Sequence, residues 1–459
     1  MIRIDPSLTP GSLRRDIDRL FELSAAKIPS LEKSWDPRLG APVFTVGGRY
    51  TSRGWTEWTQ GFQFGSAILQ FAATGDRAAL AAGRGGTLRH MAAHVSDVGV
   101  HDHGFNIVST YGTLYHLAKS GRMSASEGDL RFYELALKVS GAIQAARWTG
   151  LPRGLGYIHS FNGPHSLFAD TIRSLRSLAL AHRLGHVLMG EDGRRISLLD
   201  RLLRHAETTA RFNVYHGRGR DLYDVRGRVA HESIFNVNGG SYRCPSSQQG
   251  YSPFTTWTRG LAWILCGYAE QLEFLDTLPD EEFQGRGGKS RVMARFLETA
   301  RAAADYYIES SASDGVPYWD TGAPGLAKLG DYLGRPAEPF NDHEPVDSSA
   351  AAIAAQGLVR LGRFLRAGGR EGDGARYLSA GLTVARTIFG EPYLSTSPRH
   401  HGLILHAVYH RPNGWDHVPK GRKVPCGESC MWGDYHAREL ALLLLRIAEG
   451  KRQYTFFGQ

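Results

Sequence analysis

The stretch Trp257-Thr-Arg-Gly-Leu-Ala-Trp-Ile-Leu-Cys-Gly-Tyr-Ala-Glu-Gln-Leu-Glu-Phe-Leu-Asp276 decides the fold. Its apolar residues recur every three to four positions, which is the period of a helix that buries one face. Segments with this period recur along the whole chain, whereas alternating strand patterns are few and short. The sequence therefore predicts an all-α protein.

Twelve such segments have plausible start and stop signals. They are 11–28, 58–74, 77–97, 104–120, 124–147, 166–185, 193–212, 256–276, 282–311, 347–368, 373–389 and 432–448. Gly or Pro marks most of the joints, and short joints make neighbouring helices antiparallel, so the segments pair into six hairpins. No repeat of a solenoid type is present, and we predict a single domain over residues 1–459.

The even-numbered segments begin differently from the odd-numbered ones. Odd segments begin with ordinary sequence such as Asp76-Arg-Ala78. The even segments begin with Trp55-Thr-Glu-Trp58, His101-Asp-His103, His165-Ser-Leu-Phe-Ala-Asp170, Trp257-Thr-Arg259, Asp347-Ser-Ser349 and Met431-Trp-Gly-Asp434. In a closed ring of hairpins the even helices form one parallel inner layer, and their first turns meet at one end. We expect a single funnel-shaped site there.

The expected funnel restricts its ligand. Helix amino termini present unpaired N–H groups and positive dipole ends, which favour an anion. Tryptophan faces of the kind that stack on sugar rings come from Trp58, Trp257, Trp263 and Trp432. Two carboxylates, Asp102 and Asp170, add acid or base capacity. Residue types and spacing together favour an anionic sugar.

Composition excludes several classes of protein. With 42% hydrophobic and 22% charged residues the chain is globular, and the 55 glycines suggest many loops. The net charge of +9 is scattered, and no nucleic-acid-binding motif accompanies it. Because no apolar stretch has the length of a signal peptide or a membrane span, we expect a soluble cytoplasmic protein without nucleic-acid or membrane partners. The oligomeric state stays open.

The sequence offers little for a metal or a cofactor. Four cysteines are too few for a disulfide scaffold, and Cys426 and Cys430 lack a second nearby pair of zinc ligands. The His101-x-His103 pair has no third ligand at convincing spacing. No phosphate loop or dinucleotide fingerprint is present. We predict neither a metal nor a cofactor.

Eight motifs, taken in order, resemble those of the unsaturated glucuronyl hydrolases, glycoside hydrolase family 88. They are Trp58-Thr-Gln-Gly-Phe62, His101-Asp-His-Gly-Phe105, Ser166-Leu-Phe-Ala-Asp170, Gln249-Gly-Tyr251, Trp257-Thr-Arg-Gly-Leu-Ala-Trp263, Val316-Pro-Tyr-Trp-Asp320, Asp347-Ser-Ser-Ala-Ala-Ala-Ile353 and Trp432-Gly-Asp-Tyr435. The resemblance covers the chain from about Trp58 to Ile447. It implies a six-hairpin α/α toroid and an enzyme that hydrates the 4,5 double bond of a terminal unsaturated uronate in lyase-generated oligosaccharides.

The resemblance also implies residue roles. Asp170 matches the general acid/base, for which we expect a raised pKa, and Asp102 matches a second essential acidic residue. Thr171 follows Asp170 where many family members have Asn. Binding positions are implied or predicted at Trp58, His101, His231, Gln249, Arg259, Trp263, Arg422 and Lys423. Among these, Arg259 is the first choice for recognising the uronate carboxylate, and the basic loop at 420–423 is expected on the aglycone side.

Other interpretations stay open at this point. An unsaturated rhamnogalacturonyl hydrolase shares the toroid and the chemistry. A sugar epimerase would use a histidine pair, for which His101 and His231 are candidates, and an acidic-oligosaccharide binding protein needs no catalysis. Asp102 and Asp170 also suit the ends of helices as plain capping residues. We expect structural roles for Asp347, Asp320 and Asp434.

Overall fold

The computed structural model describes residues 1–53 and 57–458, so Trp55 lies outside the described residues. Twelve main helices follow one another along the described chain and pair into antiparallel hairpins. In chain order they are α1 Arg14–Ser34, α2 Gln60–Thr74, α3 Arg77–His90, α4 His103–Ile107 continued by a π-helical turn Val108–Gly112 and by Thr113–Lys119, α5 Glu127–Ala146, α6 Thr171–Ser174 continued by Arg176–Arg183, α7 Leu198–Phe212, α8 Thr258–Asp276, α9 Lys289–Ser310, α10 Ser348–Ala367, α11 Glu371–Ile388 and α12 Met431–Ala448. The even helices form an inner layer and the odd helices an outer one.

The inner helices close into a ring. Each even helix packs on the next, and α12 packs back on α2. Almost every residue of α8, α10 and α12 is buried, whereas the outer helices bury only one face. This is the α/α toroid that the resemblance implied, and the all-α prediction is confirmed.

Glycines allow the inner helices to approach one another closely. A Cβ atom on Gly104 of α4 would lie 2.1 Å from the carbonyl oxygen of Ser174 in α6. A Cβ on Gly61 of α2 would lie 2.4 Å from the Cα atom of Asn106 in α4. Side chains at these positions would push the ring apart. The glycine content is thus not only a feature of loops, as composition suggested, because part of it builds the helix contacts.

Short strands fill the connections between helices. They are Pro42–Val46, Arg49–Ser52, Trp148–Gly150, Gly156–Ile158, Ser166–Phe168, Val187–Met189, Arg195–Ser197, Glu232–Phe235 and Tyr242–Ser246. The predicted helix at 166–185 therefore begins too early, since Ser166–Phe168 pairs with Glu232–Phe235 in a sheet. The partner strand lies about 65 residues further on, and no local period reveals it. Within the described residues, no helix has both the length and the apolar character to cross a membrane.

Candidate active site

A cavity opens where the inner helices begin, as the pattern of helix starts predicted. It encloses about 930 Å³, counting its open mouth. Its walls are Trp58, Gly99, Val100, His101, Asp102, Phe105, Phe161, Asp170, Gln248, Gln249, Trp257, Arg259, Trp263, Tyr409, His410 and Trp415. These residues precede or begin five of the six inner helices. The cavity is mostly aromatic, and its charged groups are few.

Two carboxylates reach the cavity from the ends of two helices. Asp102 directly precedes α4, and Asp170 directly precedes α6. Neither carboxylate accepts a hydrogen bond from the backbone of its helix among the described residues. Asp347, by contrast, caps α10 by accepting from the backbone N–H groups of Ser349 and Ala350. Plain capping therefore does not describe Asp102 or Asp170.

His101 lies between the two carboxylates. Its Nε2 atom is 3.3 Å from Oδ1 of Asp170 and 3.8 Å from Oδ1 of Asp102. The imidazole is only 1% exposed, and it stacks on Phe161 and meets the edge of Phe168. The three side chains form a compact acidic cluster that can hold and pass protons.

The cluster gives its two carboxyl groups different proton affinities. Burial, opposed by His101 and helped by the charge of Asp170, raises the pKa of Asp102 to about 6. Burial also acts to raise the pKa of Asp170, but the hydrogen bond and charge of His101, with a smaller effect of His231, outweigh it and lower that pKa. The raised pKa expected for Asp170 thus falls on Asp102 instead, because His101 lies closer to Asp170.

His101 itself is tuned by the same contacts. Burial acts to lower the pKa of its imidazole, yet the negative charges of Asp102 and Asp170 and the hydrogen bond to Asp170 raise it overall. These contacts favour a protonated His101 that faces an ionised Asp170 in the free protein. This arrangement places a transferable proton directly beside the cavity.

Arg259 lies on the wall with its donors already engaged. Its Nη1 donates to Oδ2 of Asp347 at 2.7 Å, and its Nη2 donates to the carbonyl of Tyr409 at 2.8 Å and to Oε1 of Gln249 at 3.3 Å. The guanidinium is 2% exposed and lies over the Trp257 ring. Asp347 balances the charge of Arg259, and Arg259 holds Gln249 and the backbone of Tyr409 in place. Recognition of the uronate carboxylate by Arg259, the first choice made from sequence, stays a prediction.

The tryptophans divide between the cavity wall and the layer behind it. Trp58 faces the cavity and stacks on Trp432 with 5.0 Å between ring centroids. Trp432 is fully buried, so it supports Trp58 and offers no free face. Trp263 combines both roles, since it lines the cavity while packing on Phe105 and on His436.

The histidine next to the cluster does not form a metal pair with it. His103 contacts Oγ of Ser140 through Nδ1 and the carbonyl of Asp97 through Nε2, so both of its ring nitrogens are engaged away from His101. Across the described residues, no group of three or more His, Cys, Asp or Glu side chains is arranged to hold a metal ion.

Comparison with known proteins adds evidence from outside the chain. No family model matches it. It is 26% identical over 410 residues to the unsaturated glucuronyl hydrolase of Bacillus sp. (strain GL1), covering 87% of this chain and 89% of that protein. It is 23% identical over 391 residues to the unsaturated chondroitin disaccharide hydrolase of Streptococcus pyogenes serotype M1, covering 84% and 81%. The chain is a homologue of the unsaturated glucuronyl hydrolases.

Solved structures of unsaturated glucuronyl hydrolases share this fold. The crystal structure of the Bacillus sp. GL1 enzyme superimposes with a TM-score of 0.69 at 22% identity, covering 95% of this chain and 97% of that one. A structure described as specific for heparin gives 0.71 at 18% identity, with 97% and 100% covered. The resemblance drawn from eight sequence motifs is confirmed.

Three of the binding residues predicted for this glucuronyl hydrolase homologue do not line the cavity. His231 lies behind it, 2% exposed, between the rings of Phe168 and Trp257. Arg422 and Lys423 are exposed, and Nη1 of Arg422 donates to the carbonyl of Phe340. Their contact with a ligand stays a prediction.

Sequence reasoning about this homologue missed several wall residues, four of which carry rings. They are Phe161, Tyr409, His410 and Trp415. Tyr409 and His410 are held by Asp416, whose carboxylate accepts from both backbone N–H groups. The aromatic residues within 409–415 could have indicated a functional segment. A search for helical periodicity, however, does not locate a non-helical segment in the fold.

Proposed function

We propose that this chain is an unsaturated uronyl hydrolase that acts on lyase-generated oligosaccharides. The observation that carries the proposal is the cluster of Asp102, His101 and Asp170 on the wall of an aromatic cavity. A lyase leaves a terminal uronate with a double bond between carbons 4 and 5, which makes the ring a vinyl ether. Hydration of that bond needs one proton donor and one water molecule, and no metal.

Asp170 is the proposed proton donor. An ionised Asp170 receives a proton from His101 across their 3.3 Å contact when the bound uronate adds negative charge and excludes water, because both changes raise carboxyl pKa values. Carbon 4 then takes the proton, and positive charge is shared by carbon 5 and the ring oxygen. Asp102 keeps its proton up to about pH 6 and is therefore a second proton source within the cluster.

Water completes the reaction at carbon 5. The carboxylate of Asp170 accepts one proton of the water while the oxygen of the water bonds to carbon 5. The product is a hemiketal. The hemiketal opens by breaking its bond to the ring oxygen, and the exposed hemiacetal at carbon 1 releases the aglycone. No group attacks the anomeric carbon, so the carboxylate spacing that separates retaining from inverting glycosidases does not apply.

Uronate recognition is proposed to combine stacking with oriented polar groups. Trp58 and Trp257 present ring faces or edges to the cavity, and the Gln249 amide is oriented by Arg259. Before it passes its proton to Asp170, a protonated His101 places positive charge on the wall of the cavity. Arg422 and Lys423 are proposed to meet sulfate or a second carboxylate on the aglycone side, where they are exposed.

Loss of ultraviolet absorbance tests the proposal directly. The conjugated double bond of a lyase-digested disaccharide absorbs, and hydration removes that band. A set of disaccharides of known linkage and sulfation, including an unsaturated rhamnogalacturonan product, identifies the preferred aglycone. Binding without loss of absorbance indicates a binding protein, and isomerisation of a saturated sugar indicates an epimerase.

A further inference from the structure

A second, smaller cavity lies between α1, α2 and α12, apart from the active site. Its walls are Lys27, Ile28, Leu31, Glu32, Tyr50, Gln63, Ser66, His401, Met431, Asp434 and Arg438. None of these residues lines the aromatic cavity. The space open to the centre of a water-sized sphere is about 20 Å³. A single water molecule needs roughly 10–15 Å³ on this measure, so one small ion fits.

Positive charge exceeds negative charge in the interior of this cavity. Lys27 is 5% exposed and donates only to neutral acceptors, namely Oγ of Ser395 and the carbonyls of Ser397 and His400. Arg438 is 3% exposed, and its Nε and Nη1 donate to the hydroxyls of Ser24 and Ser66. Two buried cations therefore lack a directly bonded carboxylate.

The one buried carboxylate on the walls is committed elsewhere. Asp434 accepts from the backbone N–H groups of Leu403 and Ile404 and from the hydroxyls of Tyr50 and Ser429. Its Oδ2 atom remains 4.0 Å from Nη1 of Arg438. Glu32 is exposed at the rim and forms no ion pair within 4.0 Å in the described part of the chain. Lys27 and Arg438 together therefore carry one more positive charge than Asp434 balances, and an unbalanced buried charge costs several kcal/mol.

An unpartnered amide faces the same cavity. Gln63 of α2 is 5% exposed, and neither its Nε2 nor its Oε1 has a hydrogen-bond partner among the described residues. Buried amides in native proteins almost always have partners. The Nε2 donor of Gln63 and the guanidinium of Arg438 together line a space of ionic size.

We propose that this cavity binds one small monovalent anion, of the size of chloride, held by Arg438 and the Gln63 amide. The anion balances the excess positive charge. It also links three helices, because Arg438 of α12 already donates to Ser24 of α1 and Ser66 of α2. The site is structural and independent of the proposed hydrolase activity.

Bromide identifies the occupant in a crystal. Bromide replaces chloride and scatters anomalously, so a crystal of the full chain grown in sodium bromide is expected to show an anomalous peak between Gln63 and Arg438. The absence of that peak, or ordinary water density in its place, overturns the proposal. This measurement needs no variant.

Thermal unfolding tests the site in solution. At equal ionic strength, sodium chloride is expected to raise Tm by about 1–3 °C over sodium gluconate, whose anion is too large to enter. Gln63→Leu should abolish this difference. The matched control is Gln70→Leu, which removes a buried amide from the same helix, where Nε2 donates to the carbonyl of Phe21. Gln70→Leu should keep the chloride effect, and an equal effect in both variants and the wild type would contradict the site.

Discussion

Asp170→Asn is the substitution that most directly tests the proposed chemistry. An amide keeps the size of the carboxyl group and can still accept from Nε2 of His101, now 3.3 Å from Oδ1, so the fold should persist. It cannot deliver a proton. General acid–base groups contribute about 10² to 10⁴ in rate, and we expect kcat to fall by that factor.

A second effect of Asp170→Asn concerns the pH dependence of the cluster. Burial is the main cause of the raised pKa of Asp102, and the negative charge of Asp170 adds to it. Removing that charge should lower the pKa of Asp102 below about 6 and should also lower the raised pKa of His101. The residual activity of the variant should therefore decline at a lower pH than wild-type activity does.

The assay is the loss of ultraviolet absorbance of an unsaturated disaccharide, followed across pH with circular dichroism as a check on folding. Asp320→Asn is the control, because Asp320 is a fully buried carboxyl group, its burial raises its pKa to about 6, and it does not line the cavity. The control should keep kcat near the wild-type value. If Asp170→Asn keeps more than a third of the wild-type kcat while folded, Asp170 is not the proton donor.

Four further outcomes follow from the contacts described above. Asp102→Asn should raise the free energy of unfolding relative to the wild type, and this gain should be up to about 3 kcal/mol larger at pH 7 than at pH 4 in urea unfolding. The reason is that the wild-type carboxyl group, with its pKa raised to about 6, penalises folding above that pH and not below the usual 3.8. Arg259→Ala should lower Tm more than Arg259→Lys, since it leaves Asp347 unpaired at a cost of about 3–5 kcal/mol. KM should rise in both variants. Wild-type Tm and KM in both variants would contradict the role given to the contacts of Arg259. Gly104→Ala should destabilise by about 1–3 kcal/mol in the same unfolding assay, and a neutral result would refute the close contact with α6. Neutralising Arg422 and Lys423 together should raise KM for sulfated substrates alone, and an equal rise for unsulfated ones would place the loop outside the site.

The sequence determined the ring and the location of its site. Amphipathic periodicity located all twelve main helices, and nine of them start within three residues of the predicted position. The exceptions are the helices that start at Thr171 and Leu198, each preceded by a short strand, and the helix that starts at Lys289, which a turn precedes. Local periodicity suffices there because each helix buries a continuous face. The polar and aromatic starts of the even helices predicted a common site, and four of those starts, at α2, α4, α6 and α8, do meet at the cavity.

Tertiary structure alone decided how the site residues interact. The sign of the pKa shift of Asp170 depends on His101, which is 69 residues away in sequence and 3.3 Å away in space. The charge of Arg259 is balanced by Asp347, 88 residues further along. Electrostatic interactions depend on distance and burial, and both are set only when the chain folds into the ring of helices. Residue types therefore predicted which side chains belong to the site, and tertiary packing determined which of them interact.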